Sequence, residues 1–526
     1  MTTTMIITLI MTVAFFAVMI FIGIRSKSHA QDVTGFVLGS RSVGPWLSAF
    51  AYGTSYFSAV IFVGYAGQFG WNFGVASTWI GLGNAFIGSL LAWLFLGRRT
   101  RIMTNHLGCK TMPDFFGARF GSPALKIAAS VITFLFLIPY TASLYNGLSR
   151  LFSMAFPGID YAVCVIIMAV LTGTYVVIGG YMATALNDFI QGMLMLGGIV
   201  AVILAVLNSN GGLMESMKLL ATNPATGGWE YASFFGPDPI FLLFVVLLTS
   251  LGTWGLPQMV GKFYAIKNED AVKKGTVIST LFAIVVAGGC YFLGGFGRLF
   301  NIPVNEAGVP VEGFDSVIPT MLSGLSPVII GIVIVLVLSA SMSTLSSLVL
   351  TSSSTITLDF LAPLAKKKPM TEGKKMLLMR LFIAVFIVIS AVIAIVQARS
   401  KSLLIAQMMG VSWGALAGAF LAPFLYGLYS KKISKPAVAV SFVWGVGLEI
   451  VQLFISLNVL DVSASPVLAF VFKNSLYSGV FAMLGGLILV PVISLLTQKH
   501  CPADTEKMFS CYAENKTVGI TSNLGK

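Results

Sequence analysis

Long apolar runs separated by short polar segments recur along the whole chain. Each run has about 20 residues or more, which is enough to carry an α-helix across a bilayer. The segments between the runs leave little room for a water-soluble domain. The pattern therefore predicts an all-α polytopic membrane protein with about thirteen transmembrane helices, at residues 5–24, 46–66, 73–97, 124–155, 161–179, 187–208, 239–262, 275–299, 327–360, 377–398, 402–430, 436–457 and 475–497.

Composition agrees with this pattern and excludes several classes of protein. Of the 526 residues, 57% are apolar and 10% are charged, whereas soluble domains have about 25% charged residues. The net charge of +13 would suggest nucleic-acid binding in a soluble protein. With the amino terminus outside, however, 26 of the 32 Lys and Arg residues fall in cytoplasmic segments, as the positive-inside rule requires. The charge therefore reflects membrane topology, and no nucleic-acid partner is expected.

The first run, Met5 to Ile24, has its positive residues after it. A signal peptide has them before its apolar core, so we expect a permanent first helix, an outer amino terminus and a cytoplasmic carboxyl terminus in the plasma membrane. The five cysteines lack the paired spacing of metal ligands, and neither a disulfide nor a zinc site is expected. The tail after residue 498 is too short to be the output domain of a receptor.

Two runs are interrupted in corresponding places. The run at 46–66 contains Gly53-Thr54-Ser55, and the run at 239–262, five runs later, contains Gly252-Thr253-Trp254-Gly255-Leu256-Pro257. Glycine and proline at this density unwind a helix, and irregular backbone at membrane depth is tolerated where it lines a cavity. The matched pair predicts two inverted five-helix repeats, which are typical of secondary transporters. Ordinary glycine or proline kinks are the alternative.

The run at 327–360 contains the densest group of small polar residues, at 339–347. Helical spacing places Ala340, Ser343 and Thr344 on one face, and Ser343, Ser346 and Ser347 also share a face. Neutral hydroxyl and carbonyl oxygens suit a hard monovalent cation. The alternative is that these hydroxyls bond to their own helix or permit close helix packing.

Two acidic residues lie within predicted spans. Asp188, at the start of the run at 187–208, is a candidate functional residue because a carboxylate is costly in a membrane. A favourable interaction with the helix dipole is the alternative. We expect its partners to be uncharged oxygens. Glu449 lies in the run at 436–457, outside the proposed ten-helix core, and is interpreted as structural or interfacial.

Five motifs follow one another along the chain: Gly39-Ser40-Arg41-Ser42-Val43-Gly44-Pro45-Trp46, Ser58-Ala59-Val60, Tyr140-Thr141-Ala142-Ser143, Gly179-Gly180-Tyr181 leading to Asp188-Phe189-Ile190-Gln191, and Met342 to Ser347. Together they resemble the sodium/solute symporter family, whose bacterial members include sodium/proline, sodium/galactose and sodium/sialic acid symporters. The resemblance extends over the apolar runs from first to last. It implies a leucine-transporter-type fold of two inverted repeats, with sodium-coupled alternating access.

The resemblance implies a division of the chain and a set of sodium ligands. Residues 1–30 would form an extra N-terminal helix, 46–208 and 239–430 the two inverted repeats, 436–497 two peripheral helices, and 498–526 a short cytoplasmic tail. The co-transported sodium would bind the backbone carbonyls of Thr54, Phe57 and Ala340 and the hydroxyls of Ser343 and Thr344. A second sodium, present in some members, would bind Asp188, Ser343, Ser346 and Ser347.

The family's substrate residues transfer less well. The sodium/proline symporter has an aspartate where this chain has Tyr56, and the sodium/galactose symporter has an acid and an amide where this chain has Val60 and Ile61. No Arg or Lys lies in the middle of the run at 124–155 to bind the carboxylate of sialic acid. We therefore expect a small neutral or zwitterionic solute, such as an amino acid or organic acid. The candidate pocket residues are Tyr56, Ser58, Tyr140, Thr249, Thr253, Trp254, Gln258 and Gln407.

Parts of the sequence also fit two other functions, a membrane-embedded hydrolase and a proton-coupled transporter. Gly410-Val411-Ser412-Trp413-Gly414 matches the nucleophile elbow of hydrolases, but that motif needs a preceding strand and a histidine partner. It lies in an apolar run, so Gly410, Gly414 and Gly418 are expected to pack against another helix, and no enzymatic activity is expected. Coupling to protons through Asp188 remains an alternative to sodium. The expected partners are sodium, a small solute and the lipid bilayer, with no obligatory protein partner.

Overall fold

The computed structural model describes residues 3–156, 158–222, 228–365, 369–400 and 405–513, and these are predominantly helical. In this part of the chain, ten helices are long and apolar enough to cross a membrane, and a bent pair of helices forms an eleventh span. The predicted all-α polytopic fold class is therefore confirmed.

The main helices are used below by number. In chain order they are α1 (Thr3–Arg25), α2 (Pro45–Tyr56), α3 (Val60–His106), α4 (Pro123–Ala155), α5 (Tyr161–Ser209), α6 (Pro239–Leu251), α7 (Pro257–Tyr264), α8 (Glu269–Leu299), α9 (Pro327–Thr355), α10 (Glu372–Ser400), α11 (Ile405–Tyr429), α12 (Lys435–Ser456) and α13 (Ser475–Leu496).

Two of these elements, α3 and α5, are each divided by one glycine. Gly74 has φ 60° and ψ −139°, and Gly180 has φ 55° and ψ −145°; neither conformation is helical, and both favour glycine. Each division separates two of the predicted apolar runs within one element. With α2 joined to the first part of α3, and α6 joined to α7, the helices correspond one to one to the thirteen runs.

Gly180 offers a test of this division. A Cβ atom there would lie 2.8 Å from the Phe36 ring and 2.9 Å from the Phe36 carbonyl oxygen, in addition to the strained φ. We expect Gly180→Ala to lose about 1–3 kcal/mol of stability or more from backbone strain alone. Thermal unfolding in detergent measures this. Gly197→Ala on α5 is the control, because no atom lies within 4 Å of the added Cβ; equal unfolding temperatures for the two variants would contradict the prediction.

The first broken helix does not unwind where the sequence suggested. α2 remains helical through Gly53-Thr54-Ser55, and the extended residue is Phe57, with φ −79° and ψ 120°. Gly53 instead provides space, because a Cβ atom there would lie 2.5 Å from the Phe282 ring of α8. The expectation of a break at Gly53 was therefore wrong by a few residues, since this glycine serves helix packing.

The second broken helix matches the first in detail. α6 ends in a single 3-10 turn, Gly252–Gly255, and the extended residue Leu256 has φ −85° and ψ 119°. α7 then departs at a bend of 46°. Because Phe57 and Leu256 have nearly the same backbone angles, five spans apart, the two breaks are equivalent features of the two halves of the fold.

α9 lies at the centre of the molecule. Of its most apolar 18-residue window, 83% is buried, and it packs against α1, α2, α4, α5 and α10. A helix enclosed in this way cannot present its hydroxyl groups to water or lipid. The small polar residues of α9 must therefore find partners inside the protein.

Arg41 joins the ends of two helices near the breaks. Its guanidinium donates to the carbonyl oxygens of Tyr264 at the end of α7 (3.0 Å), Thr104 near the end of α3 (3.3 Å) and Cys109. Burial lowers the pKa of Arg41 below its ordinary value, yet arginine stays protonated in proteins. The resulting charge stabilises the negative ends of both helices.

Candidate cation and substrate sites

The residues proposed for the first sodium converge on one hydroxyl. Thr344 Oγ1 on α9 lies 3.2 Å from the carbonyl oxygen of Thr54, 3.1 Å from that of Phe57 and 3.1 Å from that of Ala340. The break after α2 explains the first two, because unwinding leaves the last carbonyls of α2 without partners in their own helix. Four oxygens from two helices thus meet in a fully buried position.

The oxygens at this position outnumber the protons available to them. A hydroxyl has one hydrogen to donate, so Thr344 can satisfy one of the three carbonyls at a time. The remaining oxygen–oxygen contacts bring negative partial charges together in a region that water does not reach. A small hard cation is the ligand that such a set of uncharged oxygens favours.

Ser343, the other hydroxyl predicted for this site, points elsewhere. It faces the Asp188 carboxylate without a well-formed hydrogen bond. Ser343 and Thr344 are adjacent on α9, so the two side chains project in different directions. The structure therefore places Ser343 with the second predicted set of ligands.

That second set contains an unexpected cation. Lys262 on α7 places its Nζ atom 3.5 Å from Asp188 Oδ2 and 2.9 Å from Ser347 Oγ. Both charged side chains are buried, at 4% and 0% exposure, and the ammonium also lies 5.3 Å from the centre of the Tyr181 ring. Ser347 Oγ in turn lies 2.9 Å from Ser55 Oγ on α2.

Two expectations are corrected by Lys262. Lys262 was one of the 26 Lys and Arg residues expected in cytoplasmic segments, and uncharged oxygens were expected around Asp188. The structure instead pairs the two charges in the interior. Lys262 stands at the end of a predicted apolar run, where a lysine is commonly a flanking charge. The signal that could have located it is its position on α7, because Gln258 and Lys262 are separated by one helical turn and both face inwards.

Ser346 fits the alternative prediction for the α9 hydroxyls, that they bond to their own helix. Its Oγ donates to the carbonyl of Ser343 in its own helix, at 2.8 Å. Of the four residues predicted for a second sodium, Asp188 and Ser347 contact Lys262 and Ser346 bonds to its own helix.

A cavity of about 40 Å³ adjoins the lysine. Gln258, Lys262 and Ser347 lie on its wall, together with Tyr181 and Thr111. Both polar atoms of the Gln258 side chain lack a hydrogen-bond partner among the described residues. Gln258 therefore belongs to this cavity rather than to a pocket between the two breaks.

Ser58 and Tyr140 are the substrate candidates that meet near the first break. Ser58 Oγ accepts a hydrogen bond from Val60 N at 3.2 Å and interacts with the Tyr140 hydroxyl. Tyr140 is fully buried and packs edge-on against Trp413 of α11, with ring centres 5.9 Å apart. Trp413, which is not among the residues predicted for the pocket, also lies beside Gly252 at the second break. The side chain of Tyr56 is outside the described part of the structure.

The other candidates make different contacts. Thr249 donates to Val245 O in its own helix, Thr253 approaches Gly88 O, and Trp254 donates to Ile87 O at 3.0 Å. The last two therefore face α3. Gln407 lies near the start of α11, half-buried, and its carbonyl accepts a hydrogen bond from Ser475.

The glycine stripe of α11 packs as expected. Cβ atoms at Gly410, Gly414 and Gly418 would lie 2.3 Å from Ser475 Oγ, 2.3 Å from Glu449 Oε1 and 2.6 Å from Ala482 Cβ, respectively. Glu449 is buried and accepts a hydrogen bond from Ser478 at 2.8 Å. This carboxyl therefore joins α12 to α13, away from the breaks.

Comparisons with known proteins show the family to which the chain is similar. A model of the sodium:solute symporter family matches residues 36–445. The sodium/proline symporter 2 of Staphylococcus saprophyticus is 28% identical over 83% of this chain and 84% of its own length. The osmoregulated proline transporter of Bacillus subtilis is 27% identical over 93% of this chain and 94% of its own length.

Solved structures give the same fold. A sodium-coupled sialic acid symporter in a substrate-bound outward-open state has a TM-score of 0.72 at 17% identity, covering 93% of this chain and 98% of that chain. The inward-facing conformation of Mhp1 has a TM-score of 0.50 at 14% identity, covering 89% and 95%. At these identities the matches concern the fold alone, and they confirm the fold that the sequence motifs implied.

Proposed function

Since the chain belongs to the sodium:solute symporter family, with sodium as its co-transported ion, we propose that it imports a small zwitterionic amino acid of the proline type. The family and the curated relatives are transporters. In this proposal residues 46–208 and 239–430 are the two repeats whose relative movement alternates access. The amino terminus lies outside the cell and the carboxyl terminus in the cytoplasm.

The convergence of three carbonyls on the Thr344 hydroxyl is the observation that carries the proposed sodium site. The ion would take its ligands from α2, from the broken segment at Phe57 and from α9. Only a closed arrangement of these elements supplies all of the ligands. Sodium binding would therefore favour the conformation in which the break and α9 are held together, which is differential affinity between states.

The uncharged side chains that meet near the first break support a solute with no net charge. Ser58, Tyr140 and Trp413 offer hydroxyl, indole and aromatic surfaces, and a zwitterion can use the opposite partial charges of the helix ends at the two breaks. The edge-on pair of Tyr140 and Trp413 supplies an apolar wall for a compact aliphatic ring. The relatives named as proline transporters support the same class.

The coupling follows from where the solute would sit. Ser58 is the residue after the proposed sodium ligand Phe57, so an ion that fixes the Phe57 carbonyl also fixes the backbone of the pocket. Each ligand then raises the affinity for the other by the same factor. A downhill sodium gradient would thereby drive the solute inwards.

Uptake of labelled L-proline into proteoliposomes tests this function. We expect uptake with an inward sodium gradient, no uptake with a potassium gradient of the same size, and competition from unlabelled small amino acids but not from galactose or sialic acid. Uptake driven by a pH gradient in sodium-free buffer would instead favour proton coupling. Sodium-dependent uptake of another solute alone would contradict the substrate class and leave sodium coupling intact.

A further inference from the structure

The cluster in which a second sodium was expected already holds a positive charge. Lys262 Nζ contacts Asp188 Oδ2 at 3.5 Å and Ser347 Oγ at 2.9 Å, and these atoms belong to two of the proposed ligands. We propose that the Lys262 ammonium is the resident cation of this site, so that the protein binds a single sodium ion, at Thr344. The inference rests on the proposed function for the position of that first ion.

The charges around the cluster support this assignment. Its residues lie on α2, α5, α7 and α9, and in these helices, all within the described residues, Asp188 and Lys262 are the only charged side chains. The pair is therefore neutral without any bound ion. The adjoining cavity is also lined by Lys110, a further positive charge. A sodium ion added beside the lysine would leave two cations facing one carboxylate in an interior of low dielectric constant, where like charges repel strongly.

The ligands themselves are also engaged. Ser347 Oγ has Lys262 Nζ on one side and Ser55 Oγ, 2.9 Å away, on the other. Ser346 Oγ donates to the carbonyl of Ser343. Of the four proposed ligands, only the Ser343 hydroxyl and the second carboxylate oxygen of Asp188 lack a well-formed hydrogen bond, and two oxygens do not make a sodium shell.

The lysine lies on a different helix from its partners. It lies on α7, directly after the second break, whereas its partners lie on α5 and α9. Ser55, at the far end of the network, is adjacent to Thr54, whose carbonyl belongs to the first site. The ammonium thus performs internally the bridging that a second sodium would perform between α5 and α9, without being released at each cycle.

Counting bound sodium on the purified protein tests the proposal. Equilibrium dialysis against radioactive sodium is expected to give one ion per wild-type chain at saturation. At the lowest sodium concentration that saturates the wild type, Thr344→Val is expected to bind clearly less than one ion. Lys262→Gln, which removes the resident cation and leaves Asp188 free, is expected to bind two. Asp188→Asn/Lys262→Gln removes both charges and is expected to return to one. Two ions on the wild type, or one on Lys262→Gln, would overturn the proposal.

A flux measurement needs no variant and remains available if Lys262→Gln does not fold. With equal sodium on both sides and a membrane potential of about 100 mV, one sodium per neutral solute limits accumulation to about 50-fold, and two would allow about 2,000-fold. Wild-type accumulation of L-proline clearly above about 50-fold would contradict a single ion. If L-proline does not accumulate while one sodium binds per chain, the proposed substrate fails and the single-ion inference stands.

Discussion

Thr344→Val should raise the sodium concentration that half-saturates uptake by about 10- to 150-fold. Valine retains the shape of threonine but removes the oxygen on which the carbonyls of Thr54, Phe57 and Ala340 converge. A hydrogen-bonding interaction with a charged group is worth about 1.5–3 kcal/mol, and each 1.4 kcal/mol is about tenfold in affinity. Initial rates of proline uptake at a series of sodium concentrations, with choline keeping the ionic strength constant, measure the shift.

Ser353→Ala is the matched control for this variant. Ser353 is buried on the same helix, but its hydroxyl donates to Leu350 O in that helix, at 3.1 Å. Its removal should leave the sodium dependence unchanged. If Thr344→Val and Ser353→Ala gave the same half-saturating sodium concentration, Thr344 would not be a sodium ligand.

Asp188→Asn should be the most destabilising single change near the breaks. It leaves the Lys262 ammonium buried without its counter-charge, and breaking a buried ion pair in this way costs about 3–5 kcal/mol. Asp188→Asn/Lys262→Gln should recover most of that loss, because the double variant buries no net charge. The interaction free energy between the two substitutions should therefore be large, and it should oppose the loss of stability that each single substitution causes.

Thermal unfolding in sodium-free detergent solution measures this cycle. A thiol-reactive fluorophore reports unfolding, because Cys109, Cys164 and Cys290 are free and buried. The absence of sodium matters, since Lys262→Gln is expected to regain stability when sodium binds to Asp188. If the loss of stability in the double variant equalled the sum of the two single losses, the ion pair would not stabilise the protein as the structure implies.

Much of the fold could be predicted from the hydrophobic pattern alone. Apolar runs of sufficient length have few alternatives to membrane helices, and the thirteen runs correspond to the observed helices after division at Gly74 and Gly180. The second break was also predictable, because Gly252, Gly255 and Pro257 act locally on the backbone. The first break was displaced because Gly53 packs against Phe282, and tertiary packing of this kind leaves no local signal.

The two proposed cation sites also differ in how far the sequence predicts them. For the first site, helix spacing alone grouped Ala340, Ser343 and Thr344 on one face. The resemblance to the symporter family added the carbonyls of Thr54 and Phe57 to this proposed set. The second site depends on where one long side chain points after a bend of 46°. The direction of α7, and hence the position of Lys262, is set by packing between distant segments.

The substrate candidates show most clearly where prediction from the sequence fails. Thr253 and Trp254 lie within a break, which made them attractive, yet both bond to carbonyls of α3. Trp413 was set aside with the motif around it, yet it is the ring that contacts Tyr140. The face that a residue presents depends on the rotation of its helix, which side-chain chemistry alone does not determine.

Sodium entry driven by a gradient of the solute is the most direct test of sodium-coupled symport. Proteoliposomes would hold equal sodium on both sides and no membrane potential, with an inward gradient of L-proline, and two labels would report sodium and proline entry together. Coupling is reciprocal, so proline entry should carry sodium inwards against its own equilibrium. At a sodium concentration that half-saturates the wild type, Thr344→Val should strongly reduce this sodium movement. Proline entry with no net movement of sodium in the wild type would contradict sodium-coupled symport.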